Sequence, residues 1–443
     1  MHHLINFKNF SDAKLDLFQP LTVLLGRNGS GKTNLIEGIE LLAALARGVP
    51  LNEITDVDRG GAFEIRGGLA SCLRFGKDRL SMRFNQATIR FDRKDQPVEY
   101  EITFAAHGKN DVQLSAERLR LGDRTLFDAK KSGGDLMDIQ YDNFSRGKNP
   151  FCKLSTSCSV LSRYEEILSN SQASRAKLSA ATRAVTIVRS YLRNSYIFDP
   201  QPKAMREYAR VESKPQLLRG GANLSAVLFA LREGDNAQQL TLQRIVNTIK
   251  QIPEEPFAKI SFAETSLGDV MVGFVPVEIK SKSNGRLIDA RLLSDGTLRM
   301  LATVTALETV PEKSRIVIEE FDNGLHPSRA KLLVRTLSET AYRRKLNVLV
   351  TTHNPAFMDA LDESQMGGVY ICHSAYSCGG DEFRDGSQVS RLSDNGIADT
   401  LALRGGLGDF VTRGVLEDHL SPDFAETRSR KTQKWLKSLR QAG

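Results

Sequence analysis

The chain has 443 residues, a formal net charge of +8 and 40% hydrophobic content, enough for a large core and more than one domain. No run approaches the roughly 20 apolar residues that cross a bilayer, and Met1-His2-His3-Leu4 lacks the charged-then-apolar pattern of a secretory leader, so a cytoplasmic protein is expected. Five cysteines do not make a disulfide framework in a chain of this length, and the small positive excess leaves a polyanionic partner such as nucleic acid open without requiring one.

Leu4 to Phe10 reads as a short strand, Leu15 to Phe18 as a second, and Leu21-Thr22-Val23-Leu24-Leu25 as a buried third, because it is apolar and continuous. A glycine-rich turn leads into an amphipathic helix from Lys32 to about Arg47, ended by Gly48-Val49-Pro50. From about Phe63 to Ala106 the pattern alternates (Leu80, Met82, Phe84; Val98, Tyr100, Ile102, Phe104), the mark of antiparallel strands. Gly108 to Pro150 is polar and reads as loops with short strands. Leu154 to about Ile197 has helical periodicity, and Asn223 to about Gln251 predicts two more helices. Ile260 to Ile279 returns to strand patterns. An alternating half follows: a helix from about Gly296, strand Arg315 to Ile318, a helix from Pro327, strand Asn347 to Val350, a helix from Pro355 and strand Gly368 to Cys372. Such alternation predicts a parallel sheet. Cys372, His373 and Cys378 lie close together, but no second ligand pair accompanies them, so ordinary thiols are expected.

Gly26-Arg27-Asn28-Gly29-Ser30-Gly31-Lys32-Thr33 carries the full phosphate-loop spacing, after an apolar strand and at the start of a helix. Glycines let backbone N–H groups close around phosphates, and the helix N-terminus adds positive potential. Asn28, Gly29, Ser30, Gly31, Lys32, Thr33 and Asn34 are the candidate nucleotide-binding residues. Lys32 can reach the β- and γ-phosphates of ATP, and the Thr33 hydroxyl can bind Mg²⁺.

Arg315-Ile316-Val317-Ile318-Glu319-Glu320 is an apolar strand ending in two acids, at the end of a parallel strand where ligands bind. Glu319 is placed to hold Mg²⁺, directly or through water, and Glu320 to polarise an attacking water. Val348-Leu349-Val350-Thr351-Thr352-His353 is the next apolar strand; His353 there can hydrogen-bond a γ-phosphate oxygen or the water. Leu293-Ser294-Asp295-Gly296-Thr297 has two readings. Ser294 caps the following helix, or its hydroxyl and the Gly296 N–H form a second anion site.

Taken together these motifs resemble those of the ABC-type ATPases related to RecF and to SMC heads, and more closely those of ATPases grouped with OLD-family proteins. Leu4-Ile5-Asn6-Phe7-Lys8-Asn9-Phe10 resembles that group's opening strand, Ser294-Asp295-Gly296-Thr297 its signature, and Glu319-Glu320-Phe321-Asp322-Asn323-Gly324-Leu325-His326-Pro327 its Walker B and D-loop segment. Thr351-Thr352-His353-Asn354-Pro355 resembles its switch-histidine loop. The resemblance implies an α/β fold: an ABC-ATPase head, with a P-loop core sheet plus an antiparallel β subdomain, carrying a mostly helical insertion. The expected division is 1–150 for the first half of the head, 151–255 for the insertion, 256–420 for the second half and 421–443 for a basic tail. It also implies a homodimer or higher homo-oligomer sandwiching two ATP molecules, with Ser294 and Gly296 acting in trans and Asn323 and His326 at the interface. Gln86 is the candidate for the group's glutamine loop. Phe321-Asp322 replaces the group's frequent Pro-Glu. The nuclease unit of OLD proteins has no counterpart after Cys372, where Asp381, Glu382 and Asp385 form no further α/β unit, so any nuclease would be a separate subunit.

ATPases resembling this one stand beside effector genes in bacterial anti-phage defence, which implies a sensor role in a DNA-directed complex. Arg175, Lys177, Arg183, Arg189 and Arg193, and a tail with Lys431, Lys434, Trp435 and Lys437, are either a nucleic-acid surface or solvated faces. A stand-alone RecF-like repair ATPase and a nucleotide-locked scaffold are the alternatives. The long interval between Lys32 and Ser294 argues against a transporter subunit. Lys32→Ala is expected to abolish ATP binding, measured by equilibrium titration with a fluorescent nucleotide.

Overall fold

The computed structural model describes residues 1–91, 94–108, 111–144, 148–169, 175–213, 215–251, 257–277, 287–321, 327–374, 386–395 and 407–412. The expected interface residues Asn323 and His326, the segment holding Cys378 and Asp381 to Asp385, and the basic tail lie outside them.

Strands β1 (His2–Phe7) and β2 (Phe10–Leu15) form an antiparallel hairpin. Strand β3 (Leu21–Leu25) is buried at every residue because both its faces are covered, and helix α1 (Lys32–Arg47) follows it. Six strands then run back and forth: β4 (Arg79–Phe91), β5 (Lys94–Ala106), β6 (Val112–Leu121), β7 (Arg124–Gly133), β8 (Leu136–Tyr141) and β9 (Phe151–Ser155). Gln86 lies on β4, at the register shift between Phe84 and Ala87.

The polar stretch after Gly108 is thus strand rather than loop. Its inner face is apolar, with Leu114, Leu119, Phe127, Met137 and Ile139 buried. Its outer face is charged in opposed pairs. Arg118 faces Asp128 at 3.1 Å, Arg120 faces Glu99 at 3.6 Å and Lys153 faces Asp138 at 3.6 Å, each directly across the ladder. Opposite charges stabilise such cross-strand pairs, while register shifts at Phe104, Arg120 and Leu136 break the period-2 pattern that would have revealed the strands.

The insertion opens with α2 (Val160–Ser169) and α3 (Arg175–Arg193), then returns to the sheet as β10 (Ser195–Phe198). Helices α4 (Leu224–Glu233) and α5 (Asn236–Ile249) precede the hairpin β11 (Phe257–Glu264) and β12 (Asp269–Pro276), which forms a separate small sheet. The last half runs α6 (Asp295–Thr309), β13 (Arg315–Ile318), α7 (Ala330–Arg344), β14 (Asn347–Thr351), α8 (Pro355–Asp359), β15 (Val369–Ser374) and β16 (Ser387–Arg391). The insertion is therefore not a purely helical excursion, since β10 pairs in parallel with β13 and forms the edge of the core sheet.

One fourteen-stranded sheet unites both ends of the chain in the order β9-β8-β7-β6-β5-β4-β1-β2-β16-β15-β3-β14-β13-β10. Its core, β15-β3-β14-β13-β10, is parallel. Alternate residues of these strands face two different cores. Leu24, Val317 and Leu349 pack with α1 and α3, while Val23, Ile316, Ile318, Val348 and Val350 pack with α4, α6 and α7. Helix α1 and helix α6 thus lie on opposite faces.

A buried acid joins the antiparallel subdomain to α2. Glu117, on β6, is 1% exposed. It accepts hydrogen bonds from the Val160 and Leu161 N–H groups (both 2.7 Å), the Ser159 hydroxyl (2.8 Å) and the Tyr100 hydroxyl (3.0 Å). The carboxylate caps the helix N-terminus from outside the helix. Burial pushes its pKa up, against these four donors. Glu117→Ala strands several buried donors at once, and a loss of about 3 kcal/mol is expected in urea unfolding.

Candidate functional site

Strands β3, β14 and β13 are adjacent and parallel, with Val23 beside Val350 and Val350 beside Ile318. Their C-terminal ends therefore stop at nearly the same level. The phosphate loop leaves β3 there, Thr352 and His353 leave β14, and Glu319 and Glu320 leave β13. The register collects three sequence-distant motifs on one edge.

The loop needs two of its glycines for stated reasons. Gly26 has φ 147°, and a Cβ there would lie 2.2 Å from the Cys372 carbonyl oxygen on β15. Gly31 has φ 105°, and its Cβ would lie 2.7 Å from Asn9 Nδ2 and 2.8 Å from the Phe10 ring. Both positions combine left-handed backbone with no room for a side chain. Gly31 also caps α1 without any side-chain bond, and the first turn holds no acid, which leaves a helix N-terminus suited to an anion. Lys32 Nζ donates to the carbonyl oxygens of Gly26 (2.6 Å) and Arg27 (3.0 Å). Asn28 and Gly29 are exposed at the loop's crest and Thr33 is half-buried. Ser30 is buried: its N–H closes the turn onto Arg27 O at 3.1 Å, and its hydroxyl faces inward towards Gly26. The Cys372 thiol donates to the Ser30 carbonyl from behind (2.9 Å).

The Asn34 amide is committed sideways. It donates to Asn9 Oδ1 (2.7 Å) and accepts from Arg66 (3.1 Å). One turn further along α1, the carboxylate of Glu37 accepts from Arg66 Nε (2.7 Å) and from Lys8. Burial works against that carboxylate, but the two cations hold its pKa below the usual range.

Glu319 is half-buried and its N–H donates to Phe198 O on β10 (3.0 Å). Its Oε1 accepts from Arg219 (3.1 Å), and the same guanidinium donates to Glu40 Oε1 on α1 (3.0 Å). One guanidinium spanning both acids brings the Glu319 carboxylate to the side of α1. Burial raises the Glu319 pKa, Arg219 opposes the rise and Asp199 adds to it. Glu320 is exposed and sits at φ 43°, a strained region for a side chain with a Cβ that costs about 1–3 kcal/mol. Its N–H donates to Thr351 Oγ1 (2.9 Å), a bond between β13 and β14 that holds the turn. His353 is exposed beyond β14, where Thr352 Oγ1 accepts from Asn354 N–H (3.0 Å) and fixes the loop.

The donor set suits a hard cation that keeps several waters. Thr33 and Glu319 offer oxygen, and Glu319 Oε2 is the oxygen that Arg219 leaves open. Among the described residues no three His, Cys, Asp or Glu side chains converge as a metal cage, so Mg²⁺ would rest on these two residues together with a nucleotide's phosphates.

Ser294 and Gly296 do not join this edge. Ser294 caps α6, its Oγ accepting from Thr297 N–H (3.2 Å), on the face of the sheet opposite α1. The cap is formed, and Ser294 and Asp295 are exposed, with Leu292 beside them 68% exposed, while Gly296 is buried. Of the basic residues read on the insertion, Arg183 and Arg193 are exposed, whereas Arg189 donates to Ala46 O at 3.3 Å and packs against α1.

Lys8, Arg66, Glu37, Glu40 and Arg219 are site residues that sequence reasoning missed. Arg66 and Arg219 each open an Arg-Gly-Gly triplet, one of four in the chain (with Arg59 and Arg404). That repeat was the available signal, but nothing local says which of the four reach a common site.

A family model described as "AAA_21: AAA domain, putative AbiEii toxin, Type IV TA system" matches residues 21–359. An ATP/GTP phosphatase of Helicobacter pylori is 24% identical over 367 residues, covering 81% of this chain and 86% of that protein. The DNA replication and repair protein RecF of Acaryochloris marina is 26% identical over 118 residues, 27% of this chain and 26% of RecF, so the chain spans about a quarter of that relative. A solved SMC head, bound to the C-terminal winged-helix domain of ScpA, overlaps 88% of this chain and 96% of its own at 14% identity and a TM-score of 0.40.

The α1 acids generate a pH dependence. Burial, with the neighbouring carboxylates of Glu319 and Glu37, raises the pKa of Glu40 from 4.5 to about 7, and Arg219 only partly offsets it. The folded state therefore holds a proton that the unfolded chain has lost, and stability declines as pH rises from 4.5 to about 7. Glu40→Gln removes that decline, so thermal melts are expected to show the variant gaining on the native protein between pH 5 and pH 8.

Proposed function

The chain belongs to the AAA_21 family and is a P-loop ATPase, and from that premise we propose that it closes on ATP as a head-to-tail homodimer and serves as the sensor subunit of a DNA-directed complex. The observation that carries this reading is the position of Ser294. It caps an exposed helix N-terminus on the face of the sheet opposite Lys32. A residue placed there serves a nucleotide held by another protomer, not its own. The exposed Leu292 beside it is a surface that a second copy would cover.

In this reading the N–H groups of the phosphate loop and the Lys32 ammonium bind the β- and γ-phosphates. Thr33 and Glu319 would hold Mg²⁺, which would supply charge to offset that developing on the phosphate oxygens. Glu320 accepts the proton of a water as its oxygen attacks the γ-phosphorus; the bond to the β-phosphate oxygen breaks, and ADP and phosphate result. His353 donates a hydrogen bond to the γ-phosphate oxygen. The partner's Ser294 and Gly296 complete the anion site from across the interface. Hydrolysis then opens the dimer, and the opening is the signal.

The separate effector in this reading is a nuclease of anti-phage defence; the family description itself names a putative AbiEii toxin of a type IV toxin–antitoxin system. The similarity to RecF favours a second reading, a stand-alone ATPase of DNA repair. The two differ in whether this chain takes up DNA without a partner, and salt-sensitive uptake would mark phosphate contacts.

Glu320→Gln is expected to keep ATP binding, block turnover and trap the dimer. Light scattering with ATP and Mg²⁺ should then give twice the 49.1 kDa protomer mass. A trapped dimer that ignores a short duplex supports the sensor subunit, and one that takes up the duplex supports the stand-alone repair enzyme. A variant that hydrolyses ATP normally would sink the assignment of Glu320.

A further inference from the structure

We propose that Arg219 is the positioning residue for the magnesium-binding acid, holding Glu319 by one carboxylate oxygen so that the other is presented to the metal. The inference rests on the reading of Glu319 as the Mg²⁺ acid. Its basis is a two-armed contact. Arg219 Nη1 donates to Glu40 Oε1 at 3.0 Å and Nη2 to Glu319 Oε1 at 3.1 Å. The acids are the buried parties, with side chains 10% and 14% exposed, while the arginine is half-exposed. Its geometric effect is specific: the carboxylate at the end of β13 is tied to the third turn of α1, the helix that also carries Thr33.

The backbone around Arg219 is built to hold it there. The Arg219 and Gly220 carbonyl oxygens accept from Asp199 N–H (3.0 Å) and Gln201 N–H (2.9 Å), at the exit of edge strand β10. Asn223 closes the loop from inside, accepting from Leu218 N–H (2.9 Å) and donating to Gln216 O (2.8 Å). Gly221, at φ 77°, lets the loop turn against Met205. The same segment grips the start of α6. Arg299 donates to Pro200 O (2.7 Å), and Arg206 donates to Leu293 O (2.9 Å) and to Asp295 (2.5 Å). The arginine therefore projects from a frame fixed to both β10 and α6. Partners that hydrogen-bond a metal-ligating carboxylate typically change metal affinity or activity by about 10- to 100-fold when removed.

The test uses the full chain with Arg219→Ala, Arg219→Lys and Glu319→Gln. Mg²⁺ is titrated into each protein with a fluorescent ATP analogue, and ATP hydrolysis is followed in parallel. For Arg219→Ala the Mg²⁺ concentration at half-saturation is expected to rise about tenfold. Affinity for the analogue without Mg²⁺ should stay within about twofold, and at saturating Mg²⁺ kcat should fall with KM little changed. Arg219→Lys, which keeps the charge but reaches one acid at a time, should recover part of the loss, and it carries the test if the alanine variant fails to fold. An unchanged Mg²⁺ midpoint in Arg219→Ala overturns the proposal. A lowered midpoint also overturns it, since Arg219 would then be competing with the metal. If Glu319→Gln leaves the midpoint unchanged, the metal role of Glu319 fails and the proposal falls with it.

Discussion

Parallel pairing of β3, β14 and β13 is the constraint on which the site depends. The ladder aligns Val23, Val350 and Ile318, so the residues that leave these strands emerge side by side. A shift of one residue in either pairing would displace Glu319 and Glu320 from the level of the phosphate loop, and would turn the apolar alternation of β13 and β14 inside out. The two cores guard that register. Val317 and Leu349 are buried on one face and Ile316, Ile318, Val348 and Val350 on the other, so no slip is neutral. The Thr351 bond to the Glu320 N–H adds a polar lock at the end of the ladder.

Around that edge the chain assembles charges that the backbone alone could not place. Three acids on or beside α1 (Glu37, Glu40 and Glu319) are kept in a largely buried setting by three cations from loops far apart in sequence: Lys8, Arg66 and Arg219. The outcomes differ with the balance between burial and pairing. Glu37, with two cations, has its pKa lowered, whereas Glu40 and Glu319, which share one, have theirs raised. That contrast follows from the competition between desolvation and Coulomb attraction. It makes Glu40 and Glu319 more readily protonated than Glu37.

The insertion owes its place to the same sheet. Strand β10 covers the edge of β13, and the loop after it carries Arg219 back to α1 while its flanks hold α6. Leaving β13 as the edge would expose its N–H and C=O groups and remove the anchor for the Asp199 to Asn223 segment. The insertion, Glu319 and helix α6 are in this way one continuous hydrogen-bonded structure.

The phosphate loop, the acidic strand end, the loop that carries His353 and the alternating second half were legible in the sequence. Each is a local pattern, an apolar run followed at fixed spacing by polar residues, and local patterns survive in one dimension. The strands between Val112 and Tyr141 were not, because register shifts break their period and paired charges on the outer face lower their hydropathy. Nor was β10, a short segment whose strand state is decided by the open edge of β13 rather than by its own residues. Lys8, Arg66, Glu40 and Arg219 are ordinary charged residues in the sequence. Only the fold brings them together, since an ion pair between residues 179 positions apart, such as Arg219 with Glu40, leaves no periodic trace. The motifs at the ends of β3, β13 and β14 were thus determined by sequence, while the electrostatics around Glu319 were decided by tertiary packing, because burial and distance between remote groups exist only once the chain has folded.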